Sequence, residues 1–341
     1  MPEEQAKEKI EKKFPEDYYG IDRESMYSSI RDFPLQLREA YNNSEWIRLR
    51  NENPARIIIV GMGGSGIGAE LLRDYTKDSR IIPIHGYDLG KVSNEDLVVI
   101  ISYSGNTEEA ISCFKQARNA DAETIVITSD GRLKRLAKEY RSKVIDVKPG
   151  LQPRAALGYL FTPLLIIAHR AGLINDPSRE LEQAIDVLIR RDLKQSAIDL
   201  SEKLMNRKVV IYGSPLMKSV AYRWKTQLNE NAKHAAFYHY LSEVNHNELE
   251  AFSDMRDMFM IILSSSLESH RIRKRVELTK KYASRYMPVI VLNSTDPLLI
   301  GMLSMIHLGD WVSYYLALRK GVDPTPVKII QEFKKELGPY I

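Results

Sequence analysis

The residues of this sequence best suited to chemistry are three hydroxyl side chains around a glycine in the segment SYSGNTEE. Ser102, Ser104 and Thr107 can donate hydrogen bonds, and Gly105 lets a ligand approach the backbone closely. An apolar strand pattern precedes them and a helical pattern follows, and the free N–H groups of a first helical turn bind anions. The GxxxxGK[ST] spacing of a nucleotide P-loop is absent here. The segment therefore predicts a monophosphate site suited to a sugar phosphate, although an ordinary N-capped turn has the same residues.

A second segment, GMGGSG at residues 61–66, also follows an apolar run. It fits the GxGxxG spacing of dinucleotide-binding proteins, and Asp88 lies near the position of their ribose-binding acid. Gly63, Gly64 and Ser65 would equally let backbone amides approach a sugar hydroxyl or a phosphate. Both segments follow strands that we expect to flank a topological switch point, where such sheets bind ligands. SYSGNTEE beside GMGGSG favours the sugar phosphate over the dinucleotide.

Candidate acid–base groups lie in the second half of the chain, in WKTQLNENAK and LSEVNHNE. The first segment predicts a helix with Val220, Trp224 and Leu228 on its buried stripe. Glu230 lies beside that stripe, where partial burial would raise its pKa towards a value useful for proton transfer, but most glutamates are simply solvated. His246 lies between two asparagines, as a polar-site or capping histidine does. A metal site with neighbouring acidic and histidine side chains is a further alternative, but no HExxH spacing supports it.

The elements that must position these groups form two successive βαβ series. Helical patterns between the strands predict an α/β fold of doubly wound, mainly parallel sheets. The second series has neither the glycines nor the SGNT residues, so only the first is expected to hold phosphate. The similarity of the two series indicates a duplication, unless any two α/β domains look this alike. The predicted strands lie at residues 57–61, 80–87, 97–102, 124–128 and 143–147 in the first series, and 208–213, 258–266 and 288–292 in the second.

Pro149, Gly150 and Pro153 interrupt the pattern and mark a predicted domain boundary. The first domain then covers residues 1–150, including a charged helical leader, and the second covers residues 151–341. The second is expected to begin with an apolar helix at 154–171 and an amphipathic linking stretch at 179–204.

Composition limits the class of protein. With 341 residues, the chain is long enough for two domains, and 44% hydrophobic and 28% charged residues are typical of a globular protein. The net charge of +4, with basic and acidic residues interspersed, disfavours a nucleic-acid partner. Cys113 is the only cysteine, which excludes an intrachain disulfide and a cysteine-rich metal site. No apolar run approaches the ~20 residues of a membrane span, and the segment 1–17 has no signal-peptide core, so a cytoplasmic location is expected.

Six motifs in order connect the chain with a known family. It resembles the SIS-domain sugar isomerases, most closely the archaeal and bacterial bifunctional phosphoglucose/phosphomannose isomerases, over nearly its whole length. The resemblance implies two SIS-type domains, a homodimer, and no metal or cofactor. It also implies interconversion of glucose 6-phosphate or mannose 6-phosphate with fructose 6-phosphate through an enediol. The motifs are GMGGSG, SYSGNTEE, Gln-Pro-Arg at 152–154, QLNENAK, SEVNHNE and GVDPTPVKIIQEFKKEL.

The same resemblance implies a set of substrate-binding residues. Thr325 lies near the position of a hydroxyl that helps bifunctional members accept both C2 epimers. The phosphate would be held by Ser102, Ser104 and Thr107. The residues close to the sugar would be Gly63, Gly64 and Ser65.

Catalytic roles follow from the resemblance in the same way. Glu230 would move the proton between C1 and C2, and Arg154 would stabilise the enediolate. His246, delivered from the partner subunit, would open the sugar ring. Lys334 fits the family's spacing of an isoleucine, three residues and a lysine, and would assist ring opening, with Lys328 as the alternative. Aldose–ketose isomerisation does need one base, a stabilised oxyanion and acid–base help at the ring oxygen.

Two other functions remain open from the sequence. A non-catalytic SIS protein would bind a sugar phosphate and regulate a partner, and a dinucleotide-dependent oxidoreductase would use the GMGGSG segment. Turnover of a sugar phosphate excludes the first, and a failure to bind NAD or NADP excludes the second.

Overall fold

The computed structural model describes residues 20–338. The predicted charged leader at residues 1–17 lies outside this range. The described chain forms two compact units. The N-terminal unit comprises residues 32–189, and the C-terminal unit comprises residues 190–338 with residues 20–31, which contain helix α1 (Met26–Arg31).

The N-terminal unit is a five-stranded parallel sheet with helices around it, in the strand order β2-β1-β3-β4-β5. The predicted α/β class and all five predicted strands are confirmed. Its strands are β1 (Ile57–Val60), β2 (Ile81–Ile84), β3 (Leu97–Ile101), β4 (Glu123–Thr128) and β5 (Lys143–Asp146). Its helices are α2 (Phe33–Ser44), α3 (Ile67–Thr76), α4 (Glu108–Asn119), α5 (Gly131–Glu139), α6 (Leu157–Arg170) and α7 (Ser178–Arg190).

Burial explains why these strands read as uninterrupted apolar runs. Every residue of β1 and β3 is buried, as expected where helices cover both faces of a parallel sheet. Helix α6 packs against α2 and α3, and a Cβ at Gly158 would come within 2.5 Å of the Gln36 side chain. This packing groups residues 151–189 with the first sheet, whereas the sequence predicted a division at residue 150.

The C-terminal unit contains a four-stranded parallel sheet in the order β7-β6-β8-β9. This repeats the order of the first four strands of the N-terminal sheet, in agreement with the predicted repetition. Its strands are β6 (Lys208–Gly213), β7 (Ala236–Tyr240), β8 (Met258–Ser265) and β9 (Val289–Ser294). Its helices, besides α1, are α8 (Lys194–Leu204), α9 (Lys218–Glu230), α10 (His270–Ala283), α11 (Leu298–Arg319) and α12 (Lys328–Leu337).

Helix α11 is the central helix of the C-terminal unit and is buried along nearly its whole length. It packs against α8 and α9, and its Trp311 ring lies 5.1 Å from the Tyr27 ring of α1. The predicted linking stretch 179–204 is two helices, of which α8 belongs to this unit. None of the helices within residues 20–338 combines the length and apolar character needed to cross a membrane.

Candidate functional site

The N-terminal sheet has its topological switch point between β1 and β3. The strand order places these two strands side by side although β2 lies between them in sequence. The loops that leave their carboxyl ends are GMGGSG and SYSGNT, so the sheet brings the two segments to the position where such folds bind ligands. The expected arrangement of the two loops is confirmed.

Within the SYSGNT loop, the three hydroxyl side chains differ in their surroundings. Ser102 is fully buried, its Oγ lies 2.8 Å from Thr107 Oγ1, and it accepts a hydrogen bond from Gly105 N at 3.1 Å. Ser104 is exposed and Thr107 is partly exposed at the start of α4. Ser104 and Thr107 are therefore accessible to a ligand together with the helix N-terminus, while Ser102 supports the loop from below.

Gly105 fixes the shape of this loop. Its φ is +67°, a region that favours glycine. A Cβ there would lie 1.7 Å from the Asp130 carbonyl oxygen, because the loop packs directly against the turn after β4. No other residue fits this position without moving one of the two turns.

The GMGGSG loop has two contacts with other segments of the N-terminal unit. Ser65 Oγ accepts a hydrogen bond from Tyr103 N at 3.2 Å. Gly64 packs so closely on residue 154 that a Cβ would lie 2.7 Å from Arg154 N. Arg154 itself is 3% exposed and lies in a short 3-10 helix before α6. The N-terminal unit thus brings the Arg154 backbone against the GMGGSG loop, although the two are far apart in sequence.

Glu230 ends helix α9 and is half-buried, as predicted. The buried stripe of Val220, Trp224 and Leu228 is also confirmed. The carboxylate of Asp310 fixes this helix, because it accepts hydrogen bonds from Arg223 at 2.8 and 3.0 Å and from Gln227 at 2.8 Å.

A cavity of about 1050 Å³ in the C-terminal unit lies beside Glu230. Cationic side chains at its wall include Arg23, Lys233 and Lys328. A carboxylate at the edge of a cavity with cationic side chains can exchange a proton with a ligand while nearby positive charge stabilises an oxyanion.

Lys233 was not identified from the sequence. Its Nζ donates hydrogen bonds to the carbonyl oxygens of Asp323 at 2.7 Å and Pro324 at 3.2 Å. Lys320 Nζ donates to the carbonyls of Ala232 at 2.9 Å and Lys233 at 2.8 Å. The two lysines fasten the segment after Glu230 to residues 320–324, a long-range contact that no local pattern reveals.

Of the other predicted residues of the C-terminal unit, Lys328 lines this cavity, and His246, Thr325 and Lys334 do not. His246 is exposed at the end of a 3-10 helix, residues 243–246. Thr325 is 2% exposed and its N donates to Asp323 Oδ1 at 3.0 Å. Lys334 is exposed on α12, whereas Lys328, at the start of the same helix, lines the cavity with Glu230.

The switch point of the C-terminal sheet, between β6 and β8, contains a carboxylate. Glu268 follows β8, is 5% exposed, and its Oε1 accepts a hydrogen bond from Leu216 N at 2.8 Å. The backbone N–H of Leu216, which would otherwise face an anion here, is therefore already bound to a negative side chain. This arrangement supports the prediction that phosphate binds in the first series only.

The structure also describes the residues of two alternatives from the sequence, the dinucleotide site and the metal site. Asp88, the candidate ribose-binding acid, is exposed and accepts a hydrogen bond from Gly90 N at 2.8 Å. No group of three or more histidine, cysteine, aspartate or glutamate side chains within the described part of the chain is arranged to hold a metal ion.

Comparison with known proteins identifies related families. A family model described as "Bacterial phospho-glucose isomerase C-terminal SIS domain" matches residues 193–337, and the SIS domain model matches residues 49–140. The bifunctional phosphoglucose/phosphomannose isomerase of Caldicellulosiruptor bescii is 36% identical over 335 residues, covering 92% of this chain and 99% of the relative. The enzyme of the same name from Aquifex aeolicus is 34% identical, covering 92% of this chain and 98% of the relative.

Solved structures agree in fold. The C-terminal domain of glucosamine-fructose-6-phosphate aminotransferase from Francisella tularensis superimposes with a TM-score of 0.72 at 16% identity, covering 88% of this chain and 97% of that domain. None of these relatives is named as a dinucleotide-dependent enzyme or as a regulator.

Proposed function

The chain belongs to the bifunctional phosphoglucose/phosphomannose isomerase family, and on that premise we propose that it interconverts glucose 6-phosphate and mannose 6-phosphate with fructose 6-phosphate. The reaction passes through an enediol. The observation that carries the proposal is Glu230, a half-buried carboxylate beside a cavity with cationic walls. One such base can take the proton from C2 and return it to C1 without a metal ion.

The N-terminal unit supplies the binding groups in this proposal. Ser104, Thr107 and the first turn of α4 hold the phosphate, supported by Ser102, while Gly63, Gly64 and Ser65 lie against the sugar. The buried guanidinium of Arg154 stabilises the enediolate. Binding energy from the phosphate, which is not changed in the reaction, helps to position the reacting carbons.

The C-terminal unit supplies the acid–base groups. Glu230 is the base, and His246 opens the sugar ring. We propose that the protein is a homodimer and that His246 acts in the partner subunit's site, which is consistent with its exposure. Thr325 contributes to the acceptance of both aldose phosphates. The cytoplasmic location stays a prediction.

A coupled assay tests the function directly. Purified protein should convert fructose 6-phosphate to both aldose phosphates, and added EDTA should not reduce the rate. The aldoses can be quantified separately by NMR. Binding of fructose 6-phosphate without turnover would favour the regulator, and binding of NAD or NADP would favour the oxidoreductase.

The two lysines of α12 provide a second test. We expect Lys334→Met to lower kcat about 10²-fold, within the range for loss of an acid–base group, and Lys328→Met to lower it much less. Comparison of cyclic substrate with substrate enriched in the open-chain form by rapid mixing shows whether the lost step is ring opening. The opposite ranking of the two variants would assign the role to Lys328, which lines the cavity.

A further inference from the structure

His85 lies directly behind the GMGGSG loop and contacts both its first residue and the helix that follows it. It comes immediately after β2. Its Nδ1 lies 2.7 Å from the Gly61 carbonyl oxygen, and its Nε2 lies 3.0 Å from Glu70 Oε1 on α3. The ring therefore joins the start of the loop to the first turn of the helix at its end.

Both partners of the ring can only accept hydrogen bonds. A carbonyl oxygen has no proton to donate, and neither has an ionised carboxylate. A neutral imidazole carries a single N–H and would leave one of these contacts without a proton, whereas an imidazolium donates to both. The geometry consequently favours the charged form of His85.

The charged groups that face the ring are Glu70 and Arg73, both on α3. The hydrogen bond to Glu70 is the main cause of a raised pKa for His85, and the contact with the Gly61 carbonyl raises it further. Partial burial and the Arg73 guanidinium oppose this increase. Arg73 is itself paired with Glu70, so the carboxylate lies between two cations.

The loop is curved tightly around this contact. A Cβ at Gly66 would lie 2.3 Å from the Gly61 carbonyl oxygen and 2.9 Å from His85 Nδ1. The absence of a side chain at position 66 therefore leaves room for the His85 ring to contact the Gly61 carbonyl oxygen. The same loop also contacts the Arg154 backbone through Gly64 and Tyr103 N through Ser65.

We propose that His85 is a positioning residue: as an imidazolium, it fixes the Gly61–Gly66 loop in the form that binds a sugar phosphate. The proposal rests on the function proposed above. Because the loop contacts Arg154 and the SYSGNT segment, its displacement moves two further parts of the binding site. The ring also places a positive charge behind a phosphate site whose loops contain no lysine.

The pH dependence has a definite sign. A histidine whose pKa is raised on folding stabilises the folded loop fully below the ordinary value of about 6.5, and this contribution is lost as pH rises through the raised pKa. The affinity for fructose 6-phosphate should therefore fall with increasing pH over this window. Ionisation of the substrate phosphate, whose second pKa is about 6, should instead increase the affinity as the pH rises. This effect is common to all variants.

NMR of the intact protein tests the charge without any need for activity. In ¹⁵N-labelled protein, with the His85 signal assigned from the His85→Gln variant, we expect both ring nitrogens to be protonated at pH 6.5 and the titration midpoint to lie above that of free histidine. A neutral ring at pH 6.5 would overturn the proposal even if the enzyme is fully active.

Kinetics test the positioning role. His85→Gln is expected to raise KM for fructose 6-phosphate about tenfold at pH 6.5, as for the loss of a hydrogen bond to a charged group, with a smaller change in kcat. The difference from the unmodified protein should disappear at high pH. His270→Gln, which removes an exposed histidine of α10, should leave the KM profile unchanged.

If the KM of His85→Gln divided by that of the unmodified protein is constant across the pH range, the role of the charge is overturned. If His85→Gln and His270→Gln change kcat and KM equally, the effect is nonspecific and the positioning role is overturned. Calorimetric titration with fructose 6-phosphate separates these results from failure of the proposed function. Binding that depends on His85 in a protein without turnover would refute the isomerase and retain the positioning role. Absence of binding would refute both.

Discussion

Replacing Glu230 with glutamine should nearly abolish isomerisation while leaving substrate binding intact. Glutamine has almost the same shape as glutamate but cannot take a proton from C2, and loss of a general base lowers turnover by roughly 10²- to 10⁴-fold. The effect should fall on kcat for both aldose phosphates, because the same base acts on both epimers. The coupled assay measures turnover, and calorimetry with fructose 6-phosphate measures binding.

Glu250→Gln is the matched control, since Glu250 is exposed in the same unit and does not line the Glu230 cavity. It should have no effect on either measurement. Full activity of the Glu230→Gln protein would remove Glu230 as the base. Loss of binding as well as turnover would instead show that the carboxylate holds the substrate or the fold of α9.

Replacing Gly105 with alanine should weaken phosphate binding. The added Cβ would lie 1.7 Å from the Asp130 carbonyl, so the SYSGNT loop must move and with it the hydroxyl of Ser104. Each lost hydrogen bond to a charged phosphate weakens binding by roughly 10- to 100-fold. We expect KM for all three sugar phosphates to rise by at least about tenfold, with the rate at saturation much less affected.

Gly90→Ala separates the clash from the backbone conformation. Gly90 has a φ of +68°, almost equal to that of Gly105, but a Cβ there meets nothing within 4 Å. Both variants carry the strain of a left-handed alanine, and urea denaturation should show a larger loss of stability for Gly105→Ala. Equal KM values for the two variants would contradict the assignment of the phosphate site to this loop.

The sequence predicts the sheets better than it predicts the contacts between distant residues. Strands β1 and β3 can be predicted from the sequence because both of their faces are buried and every position is apolar. Strand β7 was not predicted, because it lies at a sheet edge and its residues Phe237 and Tyr240 are exposed. Helix α11 was also not predicted, since it is buried on all sides and has no polar face to mark a helical period.

The same distinction applies to the candidate site. The loop residues Ser104 and Thr107 were identified because strand, glycine and helix start are adjacent in sequence. The contact of Gly64 with Arg154, and that of His85 with Gly61 and Glu70, join residues that only the tertiary fold brings together. In the sequence, Ser102 is equivalent to the other two hydroxyl residues, whereas its burial in the structure shows that it supports the loop.

The buried carboxylate of Glu268 has a consequence for how the protein responds to its own substrates and products. Two sheets of the same strand order present two switch points, and one of them is filled by a negative side chain of the chain itself. On the proposed assignment of the phosphate site, substrate, product and inorganic phosphate compete at the switch point that remains. A rising level of product or inorganic phosphate would then inhibit by simple competition with the substrate, and the second switch point would not serve as an allosteric effector site for phosphorylated metabolites.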